Sequence, residues 1–495
     1  MSKRHYKEGI DRQQAFLLPP SVEEYVAADN PVRAIDAYVD SLDLEKLGFK
    51  NTSGELTPGQ PAYDPRGLLK LYLYGYLRRI RSSRRLEAEC QRNLEVIWLV
   101  QGLRPGYKTI ADFRKDNLAA LKAVNRDFVQ VCKELELFGG ELVGIDGSFL
   151  RGNVAKDSLF TAERLQRALH YIEQDIAQYL HELEQADQQE GEPVQTDPQL
   201  VEKLVRLRQR QQKRTQQLQQ LQESGETQIA EVDEDARLLS KKGSGTIAGY
   251  NVQTAVDAKH KLIVTGEVTQ DGNDERQLAP MALAAKAELG VERLATVQDQ
   301  GYFNAVQIKT CLENGITPYV PEPDKQAQVR QQGRFTRDEF TYDAQTNRYI
   351  CPAGQPLKFS TSQDKRGKRI WVYRSSVPVC ARCQLQEQCL PQKTPYRKIT
   401  RWEHEDILEA HRERMKAEGA EKMRQRAALC EHPFGTLKLW CGWTHFLLRG
   451  LEKVRAEFSL LMLAYNFRRV LNILGLEAFR TYCLNRRLPK LALRS

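Results

Sequence analysis

The sequence predicts an α/β core, broken by two insertions and framed by helical segments. Three observations carry that prediction. Between Gly139 and Glu322 short apolar runs alternate with turn residues and one alanine-rich stretch, as strands alternate with helices. Residues 157–239 switch to apolar residues every three or four positions, the pattern of a helical hairpin. Residues 322–400 are polar, rich in turns and β-like, and hold four of the ten cysteines.

The first segment, 1–135, reads as a helical domain. In DPRGLLKLYLYGYLRRI, Leu68, Leu69, Tyr72, Leu73 and Tyr76 recur at helical spacing, and Arg78, Arg79, Arg81, Arg84 and Arg85 follow directly. EAECQRNLEVIWLVQG predicts a second helix that buries Leu94, Ile97 and Trp98 and stops at Gly102. KTIADFRKDNLAALKAVNRDFVQVCKELE predicts at least one long helix, capped near Thr109 or Asp112. A compact helical unit with an arginine-rich helix suits DNA binding; packing or dimerisation is the plainer role.

The core then begins. ELVGIDGSFL is a short apolar run broken by Asp146, a buried strand with an acid where the core should be. YNVQTAVDAKHKLIVTGEVTQ reads as two strands joined by a turn at Asp257–Lys261. DERQLAPMALAAKAELG is a helix, RLATVQDQGYF a strand ending at Asp299, and GITPYVPE another strand. Three strands, a helix, a strand, a helix and a strand is the element order of a ribonuclease-H-like α/β domain, assigned to 139–156 and 240–321. The insertion at 157–239 carries Leu165, Leu169, Ile172, Ile176, Tyr179 and Leu183 on one helix. A turn around Gly191 and Pro193 leads to a return helix with Leu200, Leu204, Leu207, Leu218 and Leu221. Residues 401–495 are helical again, disturbed at Pro433 and Gly435, and are expected to complete the catalytic core.

Composition narrows the function. With 41% hydrophobic and 28% charged residues the chain can bury a real core, so global disorder is excluded. No run of about eighteen uncharged apolar residues occurs, so no transmembrane helix is expected. The start MSKRHYKEGIDRQQ has no apolar h-region. A cytoplasmic, nucleoid-associated protein is the expectation. Residues 391–495 hold 21 Lys or Arg against 11 Asp or Glu, a net of +10, whereas the whole chain carries +9. Arg66 to Arg92 holds eight basic residues against Glu87 and Glu89. Clustered positive charge is the footprint of a phosphate-backbone binder, although it also describes an ordinary solvated surface.

Cutting DNA near neutral pH calls for carboxylates that hold divalent ions where backbone and phosphate meet. Asp146 fits: it interrupts an apolar strand and precedes Gly147, which lets a phosphate or metal approach. Asp299 fits at the carboxyl end of its strand, although it could equally cap a helix. Glu431 is flanked by Arg426 five residues before and Lys438 seven after, so that Lys438 could share its helical face. Among competing acids, Asp257 resembles a hairpin-turn residue and Asp274 a helix cap, and Asp233 and Asp235 lie in VDEDARLL. Cys351, Cys380, Cys383 and Cys389, spaced C-x28-C-x2-C-x5-C, form a candidate structural zinc site; the alternative is four unrelated thiols in a reducing compartment.

Five blocks in order resemble a bacterial insertion-sequence transposase of the DDE class. They are YDPRGLLKLYLYGYLRRI with TIADFRKDN; GIDGSFLRGN; GYNVQTAVD; DQGYFN; and EHPFGTLKLWCGWTHFLLRGLEKVRAEFSLLMLAYNFRR. The resemblance implies a ribonuclease-H-like core in which Asp146, Asp299 and Glu431 hold two Mg²⁺ (or Mn²⁺). It implies double-stranded DNA as partner, at terminal inverted repeats and target, and a homodimer or higher assembly on it. Part of that superfamily has a Tyr-x2-Arg-x3-Glu-x6-Lys signature on transposon-end phosphates. Lys438 matches its Lys in spacing, Arg426 is one residue out, and Met423 stands where Tyr is expected. A catalytically inactive DNA-binding regulator of the same descent, or a metal-dependent nuclease that does not join strands, are the alternatives.

Overall fold

The computed structural model describes residues 21–52, 61–189, 198–241, 245–365, 367–391, 393–440 and 443–487. The helix-hairpin turn at Gly191 and Pro193, the side chains of Leu183 and Leu200, Cys441 and the first twenty residues lie outside the described residues. The chain divides into two compact units: 1–132 with 436–443 and 452–495, and 133–435 with 444–451.

The larger unit is built on a six-stranded mixed sheet. Its strands, numbered in chain order, are β1 (Leu142–Arg151), β4 (Arg237–Lys241), β5 (Gly245–Asp257), β6 (Ile263–Thr269), β7 (Leu294–Val297) and β8 (Ile316–Tyr319), with β2 (Leu159–Thr161) and β3 (Gln228–Ala230) forming a separate pair. β6, β5 and β1 run antiparallel, and β7 and β8 then join parallel to β1. The three antiparallel and two parallel strands fall in the order the sequence predicts. β4 is an addition: it extends the far edge of β5 beyond β6, pairing Arg237 with Gly249. β5 is buried without a break from Ala248 to Asp257, as a strand covered on both faces must be. The helix Leu278–Leu289 is alanine-rich because it lies close on the sheet, with Met281, Ala282 and Ala285 packed beside Val143, Ile145 and Ala255. Gly290 ends it in the left-handed conformation (φ 70°). The helix Glu405–Gly435 seals the β1/β7/β8 side through Leu429 and Cys430, against Val297 and Tyr319.

Between β2 and β3 runs the helical hairpin, Ala162–Gln189 and Pro198–Ser224. Its expected stripe is real: Leu165, Ile172 and Leu221 are buried, and Leu169, Ile176 and Tyr179 half-buried. The second insertion is a five-stranded antiparallel sheet of β9 (Thr341–Asp343), β10 (Arg348–Ile350), β11 (Pro356–Lys365), β12 (Lys368–Arg374) and β13 (Lys398–Trp402), in the order 13-12-11-10-9. One face packs Phe340, Tyr349, Leu357, Tyr373 and Ile399 into a small core.

The smaller unit is helical. The expected second helix is two, Ser83–Arg92 and Leu94–Leu99, because Asn93 breaks the first and caps the second by accepting from the Glu95 N–H. Val96 and Leu99 take the buried places expected of Leu94, which is exposed. The expected long helix likewise splits at Asn117 into Tyr107–Asp116 and Leu118–Glu134, and Gly106, not Thr109 or Asp112, precedes it as cap. The larger correction concerns 401–495. Leu451–Leu474 and Leu476–Arg487 do not join the mixed-sheet unit: residues 452–487 cluster with the N-terminal helices. Leu451–Leu474 is buried from Ala456 through Phe467, which makes it the central helix of its unit. Tyr38, Phe128, Phe467 and Phe479 meet there in edge-on and tilted contacts at 5.1–6.4 Å. Among the described residues no helix is long and apolar enough to cross a membrane.

Candidate active site

Pairing register assembles the site. β1 pairs in parallel with β7 only as far as Gly144 opposite Val297. Two residues further along each chain stand Asp146, still in β1, and Asp299, just past the end of β7. Both carboxylates reach the same guanidinium nitrogen of Arg426, Asp146 at 3.3 Å and Asp299 at 3.7 Å. Asp299 does two jobs. Its Oδ1 accepts from the Gly301 N–H at 2.8 Å, capping the turn Gln300–Tyr302, and its Oδ2 faces Arg426. Capping a turn and facing the cation are therefore compatible for this residue, one oxygen serving each.

A third acid stands beside them. Asp274 does not cap the following helix, whose N-cap residue is Gln277. Its Oδ1 accepts the side-chain amides of Asn251 at 2.8 Å and Gln253 at 2.6 Å. Gln253 in turn accepts a close hydrogen bond from the Tyr302 hydroxyl. A methyl group on Gly147 would sit 2.5 Å from the Gln253 amide, 2.7 Å from Asp274 Oδ1 and 3.1 Å from the Tyr302 hydroxyl. A side chain here would push these three groups aside, so the close approach of the network favours glycine. Asn251, Gln253 and Tyr302 are buried polar residues that strand periodicity could not distinguish from core positions. The available signal was the run of amides alternating along GYNVQTAVD, which no apolar core needs.

The electrostatics follow from this crowding. Burial, first, and then Asp299 and Asp274 push the Asp146 carboxyl up to about 6, against the opposing pull of Arg426 and the Gly147 N–H. Burial and the same three acids hold the Tyr302 hydroxyl far above its ordinary value, keeping it a neutral donor. Burial pushes the Cys430 thiol up to about 12, with Asp146, Asp299 and Glu431 adding to the effect.

Glu431 is not gathered in. It is exposed, and among the described residues no three Asp, Glu, His or Cys side chains form a group that could hold a metal ion. Helix geometry gives the reason. At about 100° per residue, Arg426, Leu429 and Cys430 fall on one face, whereas Glu431 lies roughly 140° around from Arg426. The face turned to β1 and β7 therefore presents the arginine. The α-helix continues through Pro433 to Gly435, and the chain then takes a π-helical turn over Thr436–Trp440. The α-helical arithmetic that placed Lys438 on the face of Glu431 ends there. Lys438 itself is exposed.

The other expected acids are structural. Asp257 accepts three backbone N–H groups, from Gly139, Gly140 and Lys259, at 2.9–3.0 Å. Asp233 accepts from the Tyr250 hydroxyl and the Gly450 N–H, and Asp235 from the Leu451 N–H, so together they anchor the returning segment 444–451. The five arginines separate as well. Arg81 is half-buried in a 3.7 Å ion pair with the fully buried Glu457, and Arg78 pairs with Glu95. Arg79, Arg84 and Arg85 are exposed, the last two at the start of the helix Ser83–Arg92. The four insertion cysteines lie near enough to influence one another, but no three of them are drawn into a group that could hold a metal ion as the side chains stand. Burial raises the Cys389 thiol, Arg397 opposes it, and Cys380, Cys351 and Cys383 add to it. The Gln355 N–H donates to Cys351 Sγ at 3.3 Å and the Cys383 N–H to the Cys380 carbonyl at 3.2 Å.

Two acids meet at the end of a parallel strand pair around one arginine, with a third acid beside them. Family comparison makes this specific. Residues 350–471 match the model described as Transposase DDE domain, and residues 20–116 match Transposase domain (DUF772). The chain thus carries matches to two transposase domains, one of them of the DDE class, whose family function is DNA transposition. No curated protein matches it. Among solved structures, the piggyBac transposase synaptic complex with hairpin DNA aligns over 94% of this chain and 80% of that one, at 7% identity and a TM-score of 0.29. A superposition that loose carries no weight here.

Proposed function

We propose that this transposase binds double-stranded DNA at terminal inverted repeats, cuts the 3′ ends and joins them to target DNA as a homodimer or higher assembly. The larger unit is read as a ribonuclease-H-like catalytic core. The observation that carries the proposal is the convergence of Asp146 and Asp299 on one cationic nitrogen. Two carboxylates held by adjacent strands to face one cation suit a divalent metal, and oxygen donors suit Mg²⁺ or Mn²⁺. Asp146 and Asp299 would hold it, with Glu431 as the expected third ligand. Divalent ions bound there would activate the attacking oxygen and neutralise charge on the leaving one.

The chain's own groups set the stage. Asn251, Gln253 and Tyr302 fix Asp274 beside the pair, and Gly147 leaves the approach open. Arg426 balances the two acids and is the nearest cation for a DNA phosphate. Arg79, Arg84, Arg85 and Lys438 are the exposed cations proposed to contact DNA, whereas Arg81 and Arg78 serve their ion pairs. The thiols of Cys351, Cys380, Cys383 and Cys389 are proposed to hold a structural Zn²⁺. The small core of the insertion and the mutual influence of the four thiols support that role, which requires their side chains to close in from their present positions.

The test uses labelled DNA carrying the ends that flank the gene, with Mg²⁺, and Asp146→Asn and Asp299→Asn proteins alongside. Nicking and joining by the wild type, lost in both variants, is expected. Cutting without joining would identify a nuclease. Binding without cutting in every protein would identify an inactive regulator. Cutting that survives Asp299→Asn would refute the assignment of that residue.

A further inference from the structure

The outer face of the five-stranded insertion sheet carries a row of cations in register. Arg348 of β10 stands opposite Lys358 of β11, Lys358 opposite Arg374 of β12, and Arg374 opposite Lys398 of β13. Directly opposed residues share a face. The core residues Tyr349, Leu357, Tyr373 and Ile399 are their chain neighbours and occupy the other face. Four positive charges therefore lie side by side across four strands, a span of about 14 Å at 4.8 Å per strand. Asp343, opposite Arg348, ends the row. The pairs on either side, Ile350 with Pro356 and Val372 with Thr361 and Thr400, bring no acid to this face.

Like charges directly opposite one another destabilise a sheet. Lys358, Arg374 and Lys398 form no ion pair with an acid among the described residues, and all three are exposed. A groove of about 750 Å³ runs over Lys358 and Arg374, walled by Val377, Val379 and Tyr396. Both valines are exposed, and the Arg374 guanidinium lies 5.8 Å from the Tyr396 ring centre. The lining contains cations, hydroxyls and apolar groups and no carboxylate. Salt screens repulsion along such a row in part, and an anion that meets several members at once relieves it more fully. Successive phosphates of one nucleic-acid strand are about 7 Å apart, so two or three fit within the row.

We propose that this face is a DNA-backbone track: the row Arg348–Lys358–Arg374–Lys398 neutralises consecutive phosphates of double-stranded DNA beside the groove. The proposal rests on the transposase reading for its substrate, but it assigns the insertion a role of its own, away from the carboxylates. It contributes affinity without base readout, because backbone contacts carry no sequence information.

The experiment measures binding of the full-length protein to a duplex carrying the flanking ends, over a salt series without divalent metal. Wild type is compared with Lys358→Gln/Arg374→Gln and with Lys358→Gln/Arg374→Gln/Lys398→Gln; thermal unfolding is followed in parallel. The salt slope should fall by roughly 0.9 for each phosphate that is no longer neutralised, near two in the double variant. Affinity at low salt should weaken between about two-fold and thirty-fold. The melting temperature should stay level or rise, since repulsion has been removed. Variants that bind with the wild-type slope and affinity overturn the track and leave the transposase reading standing. A wild-type protein that binds no DNA overturns both. Weakened affinity together with a lowered melting temperature in both variants would make the row a structural feature and overturn the proposal too.

Discussion

Replacing Asp146 by asparagine should stabilise the metal-free protein at neutral pH. Burial, with Asp299 and Asp274, raises the Asp146 carboxyl from 3.8 to about 6 in the folded chain. Its side chain is only 20% exposed, so solvent screens the effect little. A shift of about two units, at 1.36 kcal/mol each, sets roughly 3 kcal/mol against the ionised form. The native state keeps a proton that the unfolded chain releases near pH 4. Stability from this group is therefore complete below about pH 4 and falls as pH rises through about 6. Asparagine cannot ionise, so the variant should show no such fall. The pull of Arg426 is already contained in that net shift, so the variant should exceed wild type by roughly 3 kcal/mol at pH 7.5. Because the chain has two units, the assay must report on the sheet itself. Hydrogen exchange of β1 and β5 peptides under urea, in EDTA, from pH 4 to 8, does so. Adding Mg²⁺ should restore protection in wild type and not in the variant. A wild-type protein equally stable at pH 4 and pH 7, or a variant with the wild-type slope, would refute the reasoning.

Gly249→Ala should be more damaging than Gly147→Ala. The new methyl would sit 1.9 Å from the Leu150 carbonyl oxygen in the first case, whereas in the second it meets side chains that can shift. Urea unfolding should show losses of several kcal/mol against about 1–3, and the reverse order would contradict the packing described. Lys70→Met should cost about 3–5 kcal/mol in the helical unit, because it leaves Asp36 and Asp40 without the buried ammonium that now holds both at 2.6 and 2.8 Å. Circular dichroism melts check this, and a neutral result would show that the triad is not coupled to folding. Asp274→Asn should lower strand cutting at least ten-fold while the Asp146→Asn-sensitive metal response persists, since Asp274 is read as a neighbour of the ligands; wild-type cutting rates would remove it from the site. Metal analysis of the purified protein should find one Zn²⁺ per chain, lost in Cys380→Ser/Cys383→Ser; its absence from wild type would reduce the cluster to four neighbouring thiols.

Much of the mixed-sheet unit was legible because each strand carries its own periodicity and each turn its own residues. β5, β6 and the helix after them read directly from YNVQTAVD, LIVTGEVTQ and LAPMALAAKAEL. Asp146 was legible for a physical reason: an ionisable group in an apolar strand is too costly to leave without a role. Where local signals were weaker the reading slipped. Asn93 and Asn117 each divided an expected helix, since a capping residue can end one helix and start another. The helix Leu451–Leu474 lies in the stretch expected to complete the core around the acids, but its middle is buried on every side within the helical unit.

By itself the sequence determined the element order, the acid on the first strand, the acid after the parallel strand, the two insertions and the resemblance to transposase domains. These are properties of short windows, set by side-chain periodicity and turn chemistry. Only the tertiary structure decided which distant groups meet. It set the parallel register that brings Asp299 level with Asp146. It chose the rotation of the helix Glu405–Gly435 that turns Arg426 inward and Glu431 outward. It brought Asp274 onto the amides of Asn251 and Gln253. It also lined up four cations from strands up to fifty residues apart. Spacing along a chain says which face of its own element a residue occupies. Which faces are pressed together depends on packing among elements that are remote in sequence.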